Sequence, residues 1–373
     1  MRDPHREVTP VPNLREEDGA VRAELHERKA NADARLVVVA GERHGRCQRG
    51  AAARHVVLDE PPIVHEAQPY GSVEPCTQHD AIGATRPTEL DPDVRRYALA
   101  VRAYLRTFGV LAGGALGWGW FEAGWVRFEA RELPVPGLPP ELDGVRIAHL
   151  SDFHLGMPSR GARAADRAAD WVAQRQPDLT VITGDLLTRP SGEARLRRLV
   201  ARLPNCYAIL GNHDFAVSRD PFSRRATLRD LEPAALLLDE GVMLELCGRR
   251  VWIAGADPRA ELSRGRRRRL ETLSRDDADF RILLCHYPYA IRKLEPGAFE
   301  LVLSGHMHDG QISLPFPGGK IRLAHPAARY VHGAYRHPAA VLHVSAGLGT
   351  TFVPFRFASR PEATELVLRT AVP

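Results

Sequence analysis

Val145-Arg-Ile-Ala-His-Leu-Ser-Asp-Phe-His154 is an apolar run that stops on a carboxylate and an imidazole, and the same pattern recurs four times downstream. Asp178-Leu-Thr-Val-Ile-Thr183 runs into Gly184 and Asp185, and Tyr207-Ala-Ile-Leu210 ends in Gly211-Asn-His-Asp214. Arg281-Ile-Leu-Leu-Cys285 ends in His286, and Phe299-Glu-Leu-Val-Leu303 leads to Gly305-His-Met-His308. Short β-rich runs bounded by glycine and polar residues read as buried strands. Five strands therefore deliver carboxylate, carboxamide or imidazole at their carboxyl ends, the edge where open α/β sheets bind ligands.

Seven residues carry the chemistry: Asp152, His154, Asp185, Asn212, His286, His306 and His308. Desolvated polar side chains from five strands are costly unless a metal or a hydrogen-bond network pairs them. Carboxylate oxygens together with neutral imidazoles suit Mn, Fe, Zn, Co or Ni better than the all-oxygen preferences of Mg or Ca. Two divalent ions about 3.5 to 4 Å apart clamp a phosphoryl group and bring the pKa of a bound water towards ~7. A metal-bound hydroxide is the nucleophile expected from such a site.

In type and order these blocks resemble the motifs of the calcineurin-like metallophosphoesterase superfamily, from roughly Leu133 to the C-terminus. The resemblance implies an α/β fold, a four-layer sandwich of two facing β-sheets flanked by helices. It implies that Asp152, His154 and His308 hold a first metal, Asn212, His286 and His306 a second, and that Asp185 bridges them. It also implies that His213 acts beside the substrate phosphate as general acid or transition-state stabiliser, with Asp214 orienting its ring. Leu138-Pro-Pro-Glu-Leu-Asp-Gly144 and Val344-Ser-Ala-Gly-Leu-Gly-Thr-Thr351, followed by Pro354, Arg356, Phe357, Pro361 and Glu362, resemble a bacterial membrane-associated phosphohydrolase branch. Two departures from that branch, Asp309 and Ala346, would make the pocket less welcoming to a second phosphate if they faced it.

The 373 residues accommodate one catalytic domain, 131–373, behind two other segments. Residues 1–93 are rich in Arg, His, Ala and Pro, with only short apolar clusters at Leu36–Val39 and Val56–Leu58. They read as a disordered or weakly structured extension, or as a mis-called start with the mature chain beginning near Val94. In 94–130, an arginine-flanked amphipathic stretch passes into the charge-free Thr107–Phe121 run, which reads as a signal-anchor-like or interfacial helix. At ~20 residues per bilayer the run is short, so a glycine-rich helix packed on the catalytic domain is the competing reading. Ala162–Gln174, Glu193–Arg202 and Ser223–Leu231 are expected covering helices. The five cysteines form no CxxC pair, which argues against a zinc ribbon or a disulfide framework.

The net charge of +5 and the lack of an aromatic platform beside the basic run Arg264–Arg269 argue against nucleic acid as a partner. That run reads as a solvated face, or as a contact to an anionic membrane. His149, His325, His332, His337 and His343 read as core histidines, and Asp257 as a turn residue before proline. Arg219–Arg229, Arg259–Leu273 and Pro315–His337 are expected rim loops. The functional expectation is a membrane-associated, otherwise cytoplasmic, metal-dependent phosphoesterase. Its substrate would be a phosphomonoester, phosphodiester or pyrophosphate on a small molecule or a lipid. The alternative is a non-catalytic phosphoryl-ligand binding or scaffold protein; the intact ligand set and the His213-Asp214 pair favour the enzyme.

Overall fold

The computed structural model describes residues 91–261, 270 and 272–371. The readings made for residues 1–90, and for the basic run Arg264–Arg269, lie outside these described residues. The apolar runs do form strands: β1 (Arg127–Pro136), β2 (Arg146–Leu150), β3 (Leu179–Thr183), β4 (Cys206–Ile209), β5 (Ala235–Leu236), β6 (Glu240–Leu246) and β7 (Arg249–Gly255). They are followed by β8 (Phe280–Leu284), β9 (Leu301–Ser304), β10 (Ser313–Phe316), β11 (Gly319–Arg322), β12 (Gly333–His337), β13 (Ala340–Val344) and β14 (Glu362–Ala371).

Two six-stranded sheets result, in the orders β1-β14-β2-β3-β4-β5 and β12-β13-β9-β8-β7-β6, with β10 and β11 forming a separate hairpin. The sheets face each other because one side of each strand is apolar: Leu133, Val135, Ile147, Val181 and Ile209 pack against Val251, Ile253, Ile282, Leu284, Leu301 and Leu303. Each such side chain contributes about 1.5–3 kcal/mol when fully buried. The outer face of the first sheet is covered by α2 (Gly161–Arg175) and α3 (Glu193–Val200), whose alanines and leucines meet Ala148, Leu150, Ile182 and Ala208. Outside the second sheet, Leu283, Val302 and Leu342 pack on Leu270, Ile291, Leu294 and Phe299. The expected sandwich of two facing sheets flanked by helices is therefore the observed one.

Strands β2, β3 and β4 are mutually parallel, as are β7, β8 and β9. Parallel pairing is what brings the polar residues after β2, β3, β4, β8 and β9 together at the carboxyl edges.

Ser223–Leu231 is not a helix, which corrects the expectation for that segment. Its backbone donors are taken by loops of the neighbouring edge, since Arg224 N–H donates to Thr188 O at 2.8 Å and Ala226 N–H to Asp214 O at 3.0 Å. Long-range bonds of this kind outcompete the helical ladder.

Ahead of β1 stands a 31-residue helix, α1 (Pro92–Glu122), roughly 46 Å long at the α-helical rise. Asp91 caps it by accepting from Asp93 N–H, and Pro92 takes the first turn. Gly119 and Glu122 are its buried residues, while Tyr104, Leu105, Phe108, Val110 and Leu111 stand exposed. The competing sequence reading, a helix packed on the catalytic domain, thus describes its final turn. Among the described residues no helix is long and apolar enough to cross a membrane.

β14 is tied to β1 by a buried acid. Glu362 is 1 % exposed at its side chain, 3.1 Å from Arg127 Nε and 2.9 Å from His332 Nε2. Burial alone would raise its carboxyl, but the His332 hydrogen bond and the Arg127 charge hold it down to about 2, below its ordinary 4.5. A depressed folded-state value stabilises the protein above the unfolded value, and the benefit is lost as pH falls from 4.5 towards 2. Glu362→Gln is accordingly expected to lower the urea midpoint at pH 7 and to match the parent near pH 2. Parallel curves offset by the same amount at both pH values would contradict this account.

Candidate metal centre

Five of the seven sequence-identified residues hold left-handed backbone: Asp152, His154, Asp185, His306 and His308, with φ of 52, 47, 52, 74 and 49°. Each such non-glycine residue costs of order 1–3 kcal/mol and persists only where the surroundings over-determine it. The turns aim the side chains inward immediately after their strands. Two glycines make room: a Cβ on Gly211 would stand 2.7 Å from Asp185 Cγ, and one on Gly305 would stand 3.0 Å from Ser151 Cβ.

All seven residues converge. His308 Nε2 lies 3.1 Å from His154 Nε2 and 3.4 Å from Asp152 Oδ1, which defines one cluster. His286 Nε2 lies 3.0 Å from Asn212 Oδ1 and 3.2 Å from His306 Nδ1, which defines a second. Between them stands a single oxygen, Asp185 Oδ2, 3.5 Å from His154 Nε2 and 3.3 Å from His286 Nε2. The other Asp185 oxygen accepts from His213 N–H at 2.8 Å. Candidate ligand atoms of Asp152, His154 and His308, and of Asp185, His286 and His306, lie within 4.8 Å of one another.

The donor chemistry fits divalent cations. Burial, reinforced by the neighbouring His213, keeps the His154 ring well below its ordinary range, and burial with His286 brings His306 down to about 3. Both are therefore neutral imidazoles, the form that ligates. Burial alone would raise the Asp152 and Asp185 carboxyls, but His308 holds Asp152 down and His286 and His213 hold Asp185 down, so both are anions. Burial opposes a charge on His286, yet Asp185 raises that ring to about 10, so this end of the cluster attracts positive charge. Outer partners set the rings: Thr183 O lies 2.9 Å from His286 Nδ1 and Thr188 Oγ1 3.1 Å from His154 Nδ1, which leaves Nε2 facing the cluster.

His213 stands against the first cluster, its ring centroid 4.6 Å from that of His154. The Asp214 carboxylate, however, is not on the ring: it accepts from Gly211, Leu186 and Leu187 N–H at 2.8, 3.2 and 2.8 Å. It thereby ties the Gly211 turn to the loop after Asp185, and burial and the Asp185 charge push its carboxyl upward against those three donors. Besides Asp185, a loop acid approaches the His213 ring: Asp220 Oδ2 lies 3.9 Å from Nδ1, beyond hydrogen-bond reach, while Ser218 Oγ is 3.1 Å from Nε2. Sequence reading missed Asp220 because it sits in an irregular loop with no strand or period to mark it.

A cavity of about 300 Å³ opens beside His306 and His308, walled by Ile312, Leu323, Ala324, Phe352 and Val353 with His325 at its mouth. His325 is exposed, 5.8 Å from the His306 ring, and so is a rim residue rather than the expected core histidine. His149 and His343 do meet in the core, Nδ1 to Nδ1 at 2.8 Å, and His332 is spent on Glu362. The concern raised by Asp309 dissolves, since its buried carboxylate is paired with Lys320 and Arg322. Of the expected rim loops, Leu323 to His325 line this cavity, and Arg259 lines a small cleft with Asn212 and Tyr287. Asp257 accepts from Arg259 N–H at 2.8 Å, as a turn residue does.

The profile of the calcineurin-like phosphoesterase family matches residues 145–310. The uncharacterized metallophosphoesterase YkuE of Bacillus subtilis is 31 % identical over 282 residues, 70 % of this chain and 94 % of its own length. The transmembrane protein with metallophosphoesterase domain of Bos taurus is 32 % identical over 262 residues, 64 % of this chain and 56 % of that one. The UDP-2,3-diacylglucosamine pyrophosphatase LpxG of Chlamydia trachomatis is 26 % identical over 322 residues, 71 % of this chain and 96 % of its own.

Proposed function

This chain belongs to the calcineurin-like phosphoesterase family, and on that premise we propose that it is a dinuclear metal-dependent phosphohydrolase acting on a phosphate ester or anhydride of a lipid-linked molecule. The observation that carries the reading is Asp185 Oδ2, one buried oxygen within 3.5 Å of a ligand nitrogen from each cluster. Asp152, His154 and His308 would hold one divalent ion, Asn212, His286 and His306 the other, with Mn, Fe or Zn favoured by the donors and Mg, Co and Ni as alternatives. When bound, such a pair supplies charge neutralisation of the phosphoryl oxygens and a water acidified to near neutrality.

The chain's own residues do the rest. Asp185 spaces the clusters, and its second oxygen, held by His213 N–H, cannot rotate away. His213, between the first cluster and the Ser218 hydroxyl, is placed to give a proton to the leaving oxygen or to stabilise the charge that develops there. Asp214 holds the two loops that carry Asp185 and Asn212 in register.

The lipid part rests on two features. The cavity that abuts His306 and His308 has an apolar wall, which suits an acyl or prenyl group beside the phosphate. LpxG, by its name, acts on a diacylated sugar nucleotide. The long exposed apolar surface of α1 fits a bilayer interface, and the Bos taurus relative is named a transmembrane protein. The full chain is expected to float with vesicles containing anionic phospholipid, and a Leu105→Glu, Leu111→Glu double variant to stay in the soluble fraction. Equal flotation of both would remove α1 from the membrane reading.

The deciding experiment strips the full chain with chelator and reloads it with Mn, Zn, Fe or Mg. Aryl phosphomonoester, aryl phosphodiester and diacylated nucleotide-sugar substrates are then compared. Activity that returns with metal and favours the acylated substrate is the expected result. Tight metal binding without turnover on any substrate would establish the scaffold alternative, and failure to bind metal would overturn both.

A further inference from the structure

Arg356 is the largest fully buried side chain of the described residues, and no carboxylate lies within ion-pair distance of it among them. Its guanidinium is held by neutral acceptors. Nε donates to Gly349 O at 2.9 Å, Nη1 to Ala346 O and Ser359 O at 3.0 and 2.9 Å, and Nη2 to Gly347 O at 3.2 Å. Nη1 also donates to the His308 backbone carbonyl at 3.5 Å. Burial lowers the guanidinium to about 10, opposed by the charges of Asp152 and Asp309, so it stays cationic at neutral pH.

Those carbonyls belong to the loop that backs the first cluster. Leu348 N–H donates to Ser151 O at 3.0 Å and Gly349 N–H to Asp152 O at 2.6 Å. The packing leaves no slack, because a Cβ on Gly347 would stand 2.7 Å from Asp152 Cβ and one on Gly349 2.8 Å from His154 Cβ. Arg356 therefore reaches all three residues of that cluster: His308 directly, Asp152 and His154 through the loop. No comparable contact runs from it to Asn212, His286 or His306 among the described residues.

The outer end of the same segment is clamped by α1. Arg356 N–H donates to Gly119 O at 3.0 Å, Ser359 N–H donates to Glu122 Oε1 at 2.9 Å, and Trp118 Nε1 steadies the other Glu122 oxygen at 3.0 Å. The tip of the Phe357 ring lies against Gly119, where a Cβ would come 3.1 Å from its Cε1. A continuous chain of contacts thus runs from the last turn of α1 through residues 356–359 to the first cluster, and it meets the second only one step further on, where His306 N–H donates to the Asp152 carboxylate at 3.1 Å.

Resting on the two-cluster reading above, we infer that Arg356 is a positioning residue for the first metal and that docking of the α1 terminus through Glu122 sets that metal's affinity without touching the second. The helix that reaches for a membrane is then mechanically continuous with half of the metal centre. Outer-sphere partners of metal ligands are typically worth 10–100-fold in affinity.

The test titrates Mn²⁺ into the full chain in two backgrounds. His286→Ala leaves the first cluster intact, and His154→Ala leaves the second. Arg356→Lys, which keeps the charge but loses the planar fork, is expected to weaken Mn²⁺ about 10–100-fold in the His286→Ala background and to leave the His154→Ala background unchanged. Glu122→Ala, remote from the ligands, is expected to repeat the selective effect at roughly 2- to 30-fold, and Glu122→Gln, whose carboxamide oxygen still accepts from Ser359, to recover most of it. Equal weakening in both backgrounds would make Arg356 a general structural residue and overturn the inference, as would no weakening in the first. A parent chain that binds no Mn²⁺ would sink the two-cluster reading together with it.

Discussion

Asp185→Asn is expected to abolish turnover, lowering kcat/KM on an aryl phosphate by about 10³-fold or more, and to reduce bound metal from two ions to at most one. The substitution is nearly isosteric, so folding should be retained. What disappears is the anionic charge of the oxygen shared by both clusters, 3.5 Å from His154 Nε2 and 3.3 Å from His286 Nε2. Asn can present either an oxygen or an NH₂ group there, never the charge that offsets two dications. Loss of activity with both ions still bound would place Asp185 in catalysis but not in bridging; unchanged activity would rule out the shared site altogether. Metal content by elemental analysis, measured on the same preparation as the rate, separates these outcomes.

His213→Ala should behave differently. Proton transfer from a positioned side chain contributes about 10²–10⁴-fold, so kcat is expected to fall by that much while both ions stay bound. His213 touches the first cluster by its ring and Asp185 by its backbone amide, and the amide survives substitution. A substrate with a good aryl leaving group should suffer less than one with an alkyl leaving group, because it needs less protonation. An equal loss on both would assign His213 to charge stabilisation. A drop in metal content instead would count it as a ligand, a role its place beside His154 and Asp185 also permits.

Much of the site was legible in the sequence. Each of Asp152, Asp185, Asn212, His286 and His306 follows an apolar run, and local composition is enough to recognise a buried strand and where it stops. The stretch after His213 was harder to read. Asp214, adjacent in sequence, turned its carboxylate to three backbone amides, whereas Asp220, seven positions on and in an irregular loop, came to lie near the ring. No periodic signal marks a residue whose partner is chosen by how a loop folds back. The same holds for His325, which reads as one more histidine until the hairpin of β10 and β11 carries it to the cavity mouth, and for Ser223–Leu231, whose amides are claimed by Thr188 and Asp214 rather than by its own carbonyls.

The chain alone determined which elements form and which chemistry they carry, because strand propensity, burial and ligand type are properties of short stretches and of single side chains. Tertiary structure decided what those stretches do to one another: which oxygen is shared, which acid meets His213, where an apolar wall adjoins the cluster, and how the end of α1 reaches His308 through Arg356. Those outcomes depend on contacts between segments as far apart as Gly119 and Arg356, where a few tenths of an ångström separate a hydrogen bond from none. Distances of that kind are fixed by the packing of the whole domain, and no local pattern encodes them.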